Sequence, residues 1–204
     1  MAPQVEDKPK SDTWAVLAAY TKAVLKYPYL LPLPFLGTAI LQFAAIAAPL
    51  YIQQFINLLS DASPGDVLTH SLFFLISMYA LMHAIGWIGR RIQMFSHSYL
   101  EAKVMADLSD DAFAELFKHG HDFFINNFAG TLTRRVNRYA RSFEQIFDVI
   151  VFQFFATALF SVGVIYVLGQ RSLLLAGALA VWMVLFITLQ VFMAKVRQPL
   201  RIAS

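Results

Sequence analysis

Four long stretches of this chain contain no Asp, Glu, Lys or Arg: residues 27–60, 67–89, 149–170 and 172–194. The shortest is 22 residues, and about 20 helical residues cross the hydrocarbon core of a bilayer. A soluble core helix does not need four such stretches, so the sequence predicts four membrane spans. The fold class expected is all-α: a polytopic membrane helical bundle of four long transmembrane helices. Hydrophobic residues make up 58% of the chain, well above the soluble average.

The gaps between the stretches are unequal. Residues 61–66 join the first two, Arg171 alone separates the last two, and 90–148 divides the middle pair. That is the pattern of two helical hairpins tied by a large connection on one side. Lys8, Lys10, Lys22 and Lys26 precede the first span, and Lys195, Arg197 and Arg201 follow the last. The long connection carries Arg90, Arg91, Lys103, Lys118, Arg134, Arg135, Arg138 and Arg141. Fifteen of the 16 basic residues therefore fall on one face, with Arg171 opposite. The positive-inside rule makes that face cytoplasmic, with both termini and the long loop on it. The net charge of +3 then reflects topology and does not argue for nucleic acid. There are no cysteines, which excludes disulfides, thiol catalysis and thiolate metal sites. Glu6, Asp7 and Asp12 stand where a cleavable signal would be basic, so the first span is expected to act as an uncleaved anchor.

Residues 1–11 are polar, contain two prolines and are expected to be disordered. Residues 12–28 read as an amphipathic helix, with Ser11 or Asp12 as its cap. Trp14, Leu17, Ala18, Thr21, Val24 and Leu25 share one face, with Lys22 and Lys26 off it, which suits a helix lying in the headgroup boundary. Pro28, Pro32 and Pro34 predict a break before the first span. The spans are placed at about 30–59, 67–92, 146–169 and 171–195, with a kink tolerable at Pro49.

The helical pattern of the second span does not stop at Arg90. Phe95, Tyr99, Ala102, Ala106, Phe113 and Phe117 recur at three- and four-residue steps, and no Gly or Pro interrupts before Gly120. One helix over 67–118 would be about 78 Å long, so it should project into the cytosol. From Thr131 to Arg171 there is no Pro, and a basic stripe of Arg134, Arg135, Arg138 and Arg141 runs beside an apolar one of Val136, Phe143, Ile146, Phe147 and Ile150. The two spans are thus expected to extend as an antiparallel hairpin over 93–145. Its tip carries a short helix candidate, Asp122 to Asn127, between Gly120 and Gly130. The last span runs on into basic sequence, where Pro199 could mark a bend.

The run Phe123-Phe124-Ile125-Asn126-Asn127-Phe128-Ala129-Gly130-Thr131-Leu132-Thr133-Arg134 resembles the first intracellular loop of ABC exporters. That family's pattern there is two aromatics, a short polar stretch, Gly, a small or acidic residue, Leu, then Ser/Thr-Arg and an Asn-containing segment. Its place between spans two and three matches too, and the N-terminal helix resembles the family's elbow helix. The resemblance covers about Thr13 to Ser204 and implies a partial ABC exporter transmembrane domain over 29–204. It also implies that the tip is a coupling helix seated on an ATP-binding domain. The residues carried over are Asp122, Phe123, Phe124, Ile125, Asn126, Asn127, Gly130 and Thr131, with Phe123 and Phe124 as apolar anchors. Two aromatics at the far end of a charged hairpin are poorly placed for lipid and are expected to seat on a protein partner, where aromatic anchors dominate interface energy; the alternative is that both pack back onto the base of the hairpin.

The chain departs from the family's whole unit. It has four spans rather than six, and no G-x-x-x-x-G-K-[ST] phosphate loop. The nucleotide-binding domain is absent, so no cofactor and no enzymatic activity are expected in this chain. ATP and Mg belong to the missing domain of an ATP-hydrolysing translocase. The chain reads as an N-terminal fragment. The implied partners are membrane lipid, an ABC nucleotide-binding domain, a second transmembrane domain in a homodimer or heterodimer, and an unidentified transported substrate. The default location is a bacterial inner membrane.

Other residues carry weaker signals. His119 and His121 flank Gly120 beside Asp122 but lack further ligands at metal-site spacing, and no metal is expected. His83 lies within the second span, where a neutral imidazole bonded to a neighbouring helix is the expectation. Asp107, Asp110, Asp111 and Glu115 read as surface ion pairs beside Lys103 and Lys118. No clustered His, Asp or Glu is visible at a membrane edge and no catalytic residue is assigned. The polar side chains able to line a pathway between spans are Gln42, Gln53, Gln54, Asn57, Tyr79, His83, Gln153 and Tyr166. The rival to transport is a complete four-span scaffold or receptor whose cytoplasmic hairpin docks a soluble partner.

Overall fold

The computed structural model describes residues 13–62, 69–118 and 129–202. Every element in these residues is helical: α1 Thr13–Val24, α2 Pro32–Ser60, α3 Thr69–Phe117, α4 Ala129–Asp148, a π-helix Val149–Phe155, α5 Ala156–Gly169 and α6 Leu173–Ile202. Four helical segments are long and apolar enough to cross a membrane: α2, α3, the run from α4 through α5, and α6. Pro32 opens α2 at a first-turn position where a missing N–H costs nothing, and Pro49 is accommodated inside it. At 49 residues α3 is about 74 Å long, more than twice the hydrocarbon thickness. The uninterrupted α-helix expected from Thr131 onward is corrected: seven residues adopt π geometry. β-Branched Val149, Ile150 and Val151 weaken the α preference there, and the wider turn turns Val151 fully inward. The bend allowed for at Pro199 does not end α6, which continues to Ile202.

The chain divides into two units. Residues 1–40 and 87–155 make the first. Its core is Tyr20 and Ala23 from α1, Leu100, Val104 and Leu108 from α3, and Phe143, Phe147 and Val151 from α4 and the π-helix. The helical step 100, 104, 108 meets the step 143, 147, 151, so each helix contributes one apolar stripe. His97 pairs with Asp148, whereas Leu116 shares a groove with Leu132 and Val136. Rising numbers on α3 thus meet falling numbers on α4, and the two run antiparallel. The start of α2 also packs here. A Cβ on Gly37 would lie 2.8 Å from both Gln93 Cα and Gly89 O, so the two backbones nearly touch. Close approach through small residues is how membrane helices gain packing contacts without a hydrophobic driving force.

The second unit is 41–86 with 156–204. Small residues again mark its contacts. A Cβ on Gly86 would meet Ala44 Cβ at 3.3 Å, and one on Gly169 would meet Ala176 Cβ at 3.8 Å. Large apolar side chains of α6, among them Leu173, Leu174, Val184 and Phe192, are exposed. That surface needs lipid or further helices around it.

Candidate functional site

In the first unit α1 is fastened across α3 and α4 by named bonds. Tyr20 Oη donates to the Tyr139 carbonyl at 2.7 Å, and its ring meets Phe143 edge-on at 5.6 Å. Lys26 Nζ lies 3.2 Å from Asp107 and 3.4 Å from Asp111, and Tyr27 Oη donates to Asp107 at 3.2 Å. This corrects the expected ion pairing. Asp107 and Asp111 face Lys26 of the preceding segment, while Lys103 sits over the rings of Tyr27 and Tyr99. Glu115 does pair with Lys118, at 2.7 Å. Trp14, Leu17 and Leu25 remain exposed, and the buried side of α1 is Tyr20 and Ala23, which the apolar-face reading had not named.

The coupling residues Asp122, Phe123, Phe124, Ile125, Asn126 and Asn127 lie outside the described residues, as do His119 and His121. Gly130 and Thr131 are exposed in the first turn of α4. Arg134, Arg135, Arg138 and Arg141 are exposed along the same helix.

Two of the pathway candidates touch each other. Tyr79 and His83 meet edge-on, with ring centroids 4.5 Å apart. Among the described residues no hydrogen bond, ion pair or ring contact joins any other two of them. Gln42 and Gln53 are half-buried, while Gln54, Asn57, His83, Gln153 and Tyr166 are exposed. Among the described residues the ring partner of His83 is Tyr79, one turn back on α3 itself.

The polar residues that the structure does bury were missed. Thr38 and Gln93 are buried together: Gln93 Nε2 donates to Thr38 Oγ1 at 2.7 Å, and Thr38 donates to the Pro34 carbonyl at 2.8 Å. One turn further along α3, His97 is 3% exposed. Its Nε2 lies 2.7 Å from Asp148 Oδ1 and 3.8 Å from Glu101 Oε2. Its ring stacks on Phe147 at 4.8 Å and tilts against Phe152 at 4.4 Å. Glu101 lies beyond the second apolar stretch, which ends at Arg90 and Arg91. Burial, with the Asp148 and Glu144 carboxylates adding to it, pushes its carboxyl up to about 7. So a His/Glu/Asp cluster does exist, contrary to the sequence expectation. The one legible signal was the four-residue step from His97 to Glu101, which places both on one helix face.

The first unit therefore presents two long antiparallel helices braced by α1. The family model for the ABC transporter transmembrane region matches residues 31–204. No curated protein matches the chain. A match of that extent over four apolar helices makes this an integral membrane protein, and the chain belongs to the ABC transporter transmembrane region family.

Proposed function

We propose that the chain forms part of the translocation pathway of an ATP-binding cassette exporter and is coupled to an ATP-binding domain through its first intracellular loop. The observation that carries this is the α3–α4 pair. Its packed apolar stripes and the α1 brace make it stiff enough to transmit a displacement at residues 119–131 to the spans. The chain itself is non-catalytic; ATP and Mg act on the partner domain, and a second transmembrane domain completes the pathway. The exposed Trp14, Leu17 and Leu25 suit α1 to the headgroup layer, with lipid as its outer partner. Both termini and the α3–α4 hairpin face the cytosol, in a bacterial inner membrane. Because the chain has no cysteine, cysteines placed singly at Asn137 and Ser172 report this directly. An impermeant thiol reagent added outside cells should label Ser172→Cys and spare Asn137→Cys; the reverse pattern would invert the topology.

The test of coupling is the ATPase activity of the assembled transporter in lipid. Replacing Phe123 and Phe124 together by Ala should lower it about tenfold or more, since truncating aromatic anchors costs about 2 kcal/mol each at an interface centre. The isolated ATP-binding domain should keep its basal rate. Unchanged activity in the double variant would remove the coupling role from these residues and favour a scaffold.

A further inference from the structure

His97, Glu101 and Asp148 are the described residues that bring three potential metal-ligating atoms together, all within 4.8 Å of one another. We propose that they form a binding site for a divalent transition-metal ion of the zinc class, which clamps α3 to the junction of α4 with the π-helix.

The geometry is close to what such an ion needs. Ligand atoms about 2.0–2.2 Å from a tetrahedral zinc are about 3.3–3.6 Å from each other. His97 Nε2 is 2.7 Å from Asp148 Oδ1 and 3.8 Å from Glu101 Oε2. The two carboxylates, within 4.8 Å of each other, must approach by up to about 1.4 Å, and Asp148 must draw back from the imidazole by about 0.7 Å; shifts of that size are within the freedom of their side-chain torsions and admit the ion. Two ligands four residues apart on one helix face, with a third from a facing helix, is the spacing by which helical metal sites are built.

The chemistry agrees. Imidazole with two carboxylates, and no thiolate, suits zinc-class ions over copper(I), and the imidazole disfavours magnesium and calcium. A divalent ion would neutralise the two carboxylates, which otherwise face each other with Glu144 nearby in a poorly hydrated pocket. Glu101 Oε1 is buried without a hydrogen-bond partner, and a metal would occupy that lone pair through bidentate ligation. The Asp148 side chain is 45% exposed, which leaves a route in from solvent. The imidazole stacks on Phe147 and tilts against Phe152, so the nitrogen ligand is oriented in advance. The π-helix begins at the residue after Asp148, and π segments occur frequently at functional sites.

The test is zinc binding to the full chain in detergent, with any affinity tag removed and His119 and His121 both replaced by Ala to silence the tip. Isothermal titration should show one saturable site per chain, with Mg²⁺ in large excess failing to compete. Asp148→Asn and His97→Ala should each weaken binding by at least about tenfold, and X-ray absorption on the zinc-loaded protein should show one nitrogen and carboxylate oxygens at about 2.0–2.2 Å. The absorption measurement needs no variant in the cluster, so it decides the matter even if His97→Ala fails to fold. No saturable binding, binding that survives Asp148→Asn, binding lost with His119 and His121, or an all-oxygen shell would each overturn the proposal and leave a cluster that carries only protons.

Discussion

Adding one methyl group at Gly37 should loosen the α2–α3 crossing. An alanine Cβ there would sit 2.8 Å from both Gln93 Cα and Gly89 O. Gln93 N would be closer still; all three are backbone atoms, which cannot rotate away, so the helices must separate by roughly 1 Å to reach an ordinary contact. Overpacking of that kind costs about 1–3 kcal/mol. The separation also stretches the buried bond from Gln93 to Thr38, now 2.7 Å, and a buried amide losing its partner costs about 1–3 kcal/mol more. Helix propensity works in the opposite direction, since Ala is better than Gly by about 0.8–1 kcal/mol inside a helix. The clash outweighs it, and Gly37→Ala should destabilise the fold by about 1–5 kcal/mol net. Gly177 is the control, because nothing lies within 4 Å of a Cβ built there. Propensity should act alone at that position, and Gly177→Ala should be neutral to stabilising by up to about 1 kcal/mol. Thermal or SDS-driven unfolding of the two variants in the same detergent, followed by circular dichroism, compares them directly. The reasoning about backbone contact fails if Gly37→Ala is as stable as wild type, or if the two glycines respond alike.

Two other perturbations probe the first unit. Tyr20→Phe keeps the ring against Phe143 and removes only the 2.7 Å bond to the Tyr139 carbonyl; it should cost about 0.5–1.5 kcal/mol in the same unfolding assay, and no loss would mean that α1 is held by its apolar side alone. Glu101 predicts a pH dependence in protein stripped of metal by a chelator. Its folded pKa of about 7 lies above the unfolded value of 4.5, so the folded state holds the proton more tightly, and this contribution is complete below pH 4.5. Stability should therefore fall as pH rises from 4.5 to about 7, by at most about 3 kcal/mol. Glu101→Gln should flatten that part of the wild-type profile, and an identical slope in the variant would remove the assignment.

The sequence made the membrane helices legible because lipid demands long uncharged runs, and those runs are local. Each of the four stretches without charge falls on one of the four long apolar helical segments: α2, α3, the run through α5, and α6. Pro32 marked where α2 begins, and the three- and four-residue steps beyond Arg90 carried α3 to Phe117. What stayed hidden depends on register between segments. Asp148 lies 51 residues from His97, and they meet only because α3 and α4 pair antiparallel at one particular offset. A shift of one turn would have brought Glu144 there instead. Lys26 likewise reaches Asp107 across 81 residues, through the docking of the α1 segment on α3, where a reading confined to one helix offered Lys103. The π-helix was hidden because it depends on which side chains must turn inward at that depth, Val151 above all. Polar residues inside apolar stretches were weighted towards a pathway on their chemistry alone. The buried pair Thr38 and Gln93 shows that such residues also join helices to each other.

The central claim is that force passes between this chain and an ATP-binding domain through the tip of the α3–α4 hairpin. A photo-crosslinking amino acid placed at Phe124 in the assembled, membrane-embedded transporter tests it most directly, with Phe73, an exposed residue in the second apolar stretch, as the control position. The account predicts a covalent adduct between position 124 and the ATP-binding domain, with a yield that changes when nucleotide is added, and none from position 73. Capture of lipid alone at position 124, or equal yields from both positions, would contradict it.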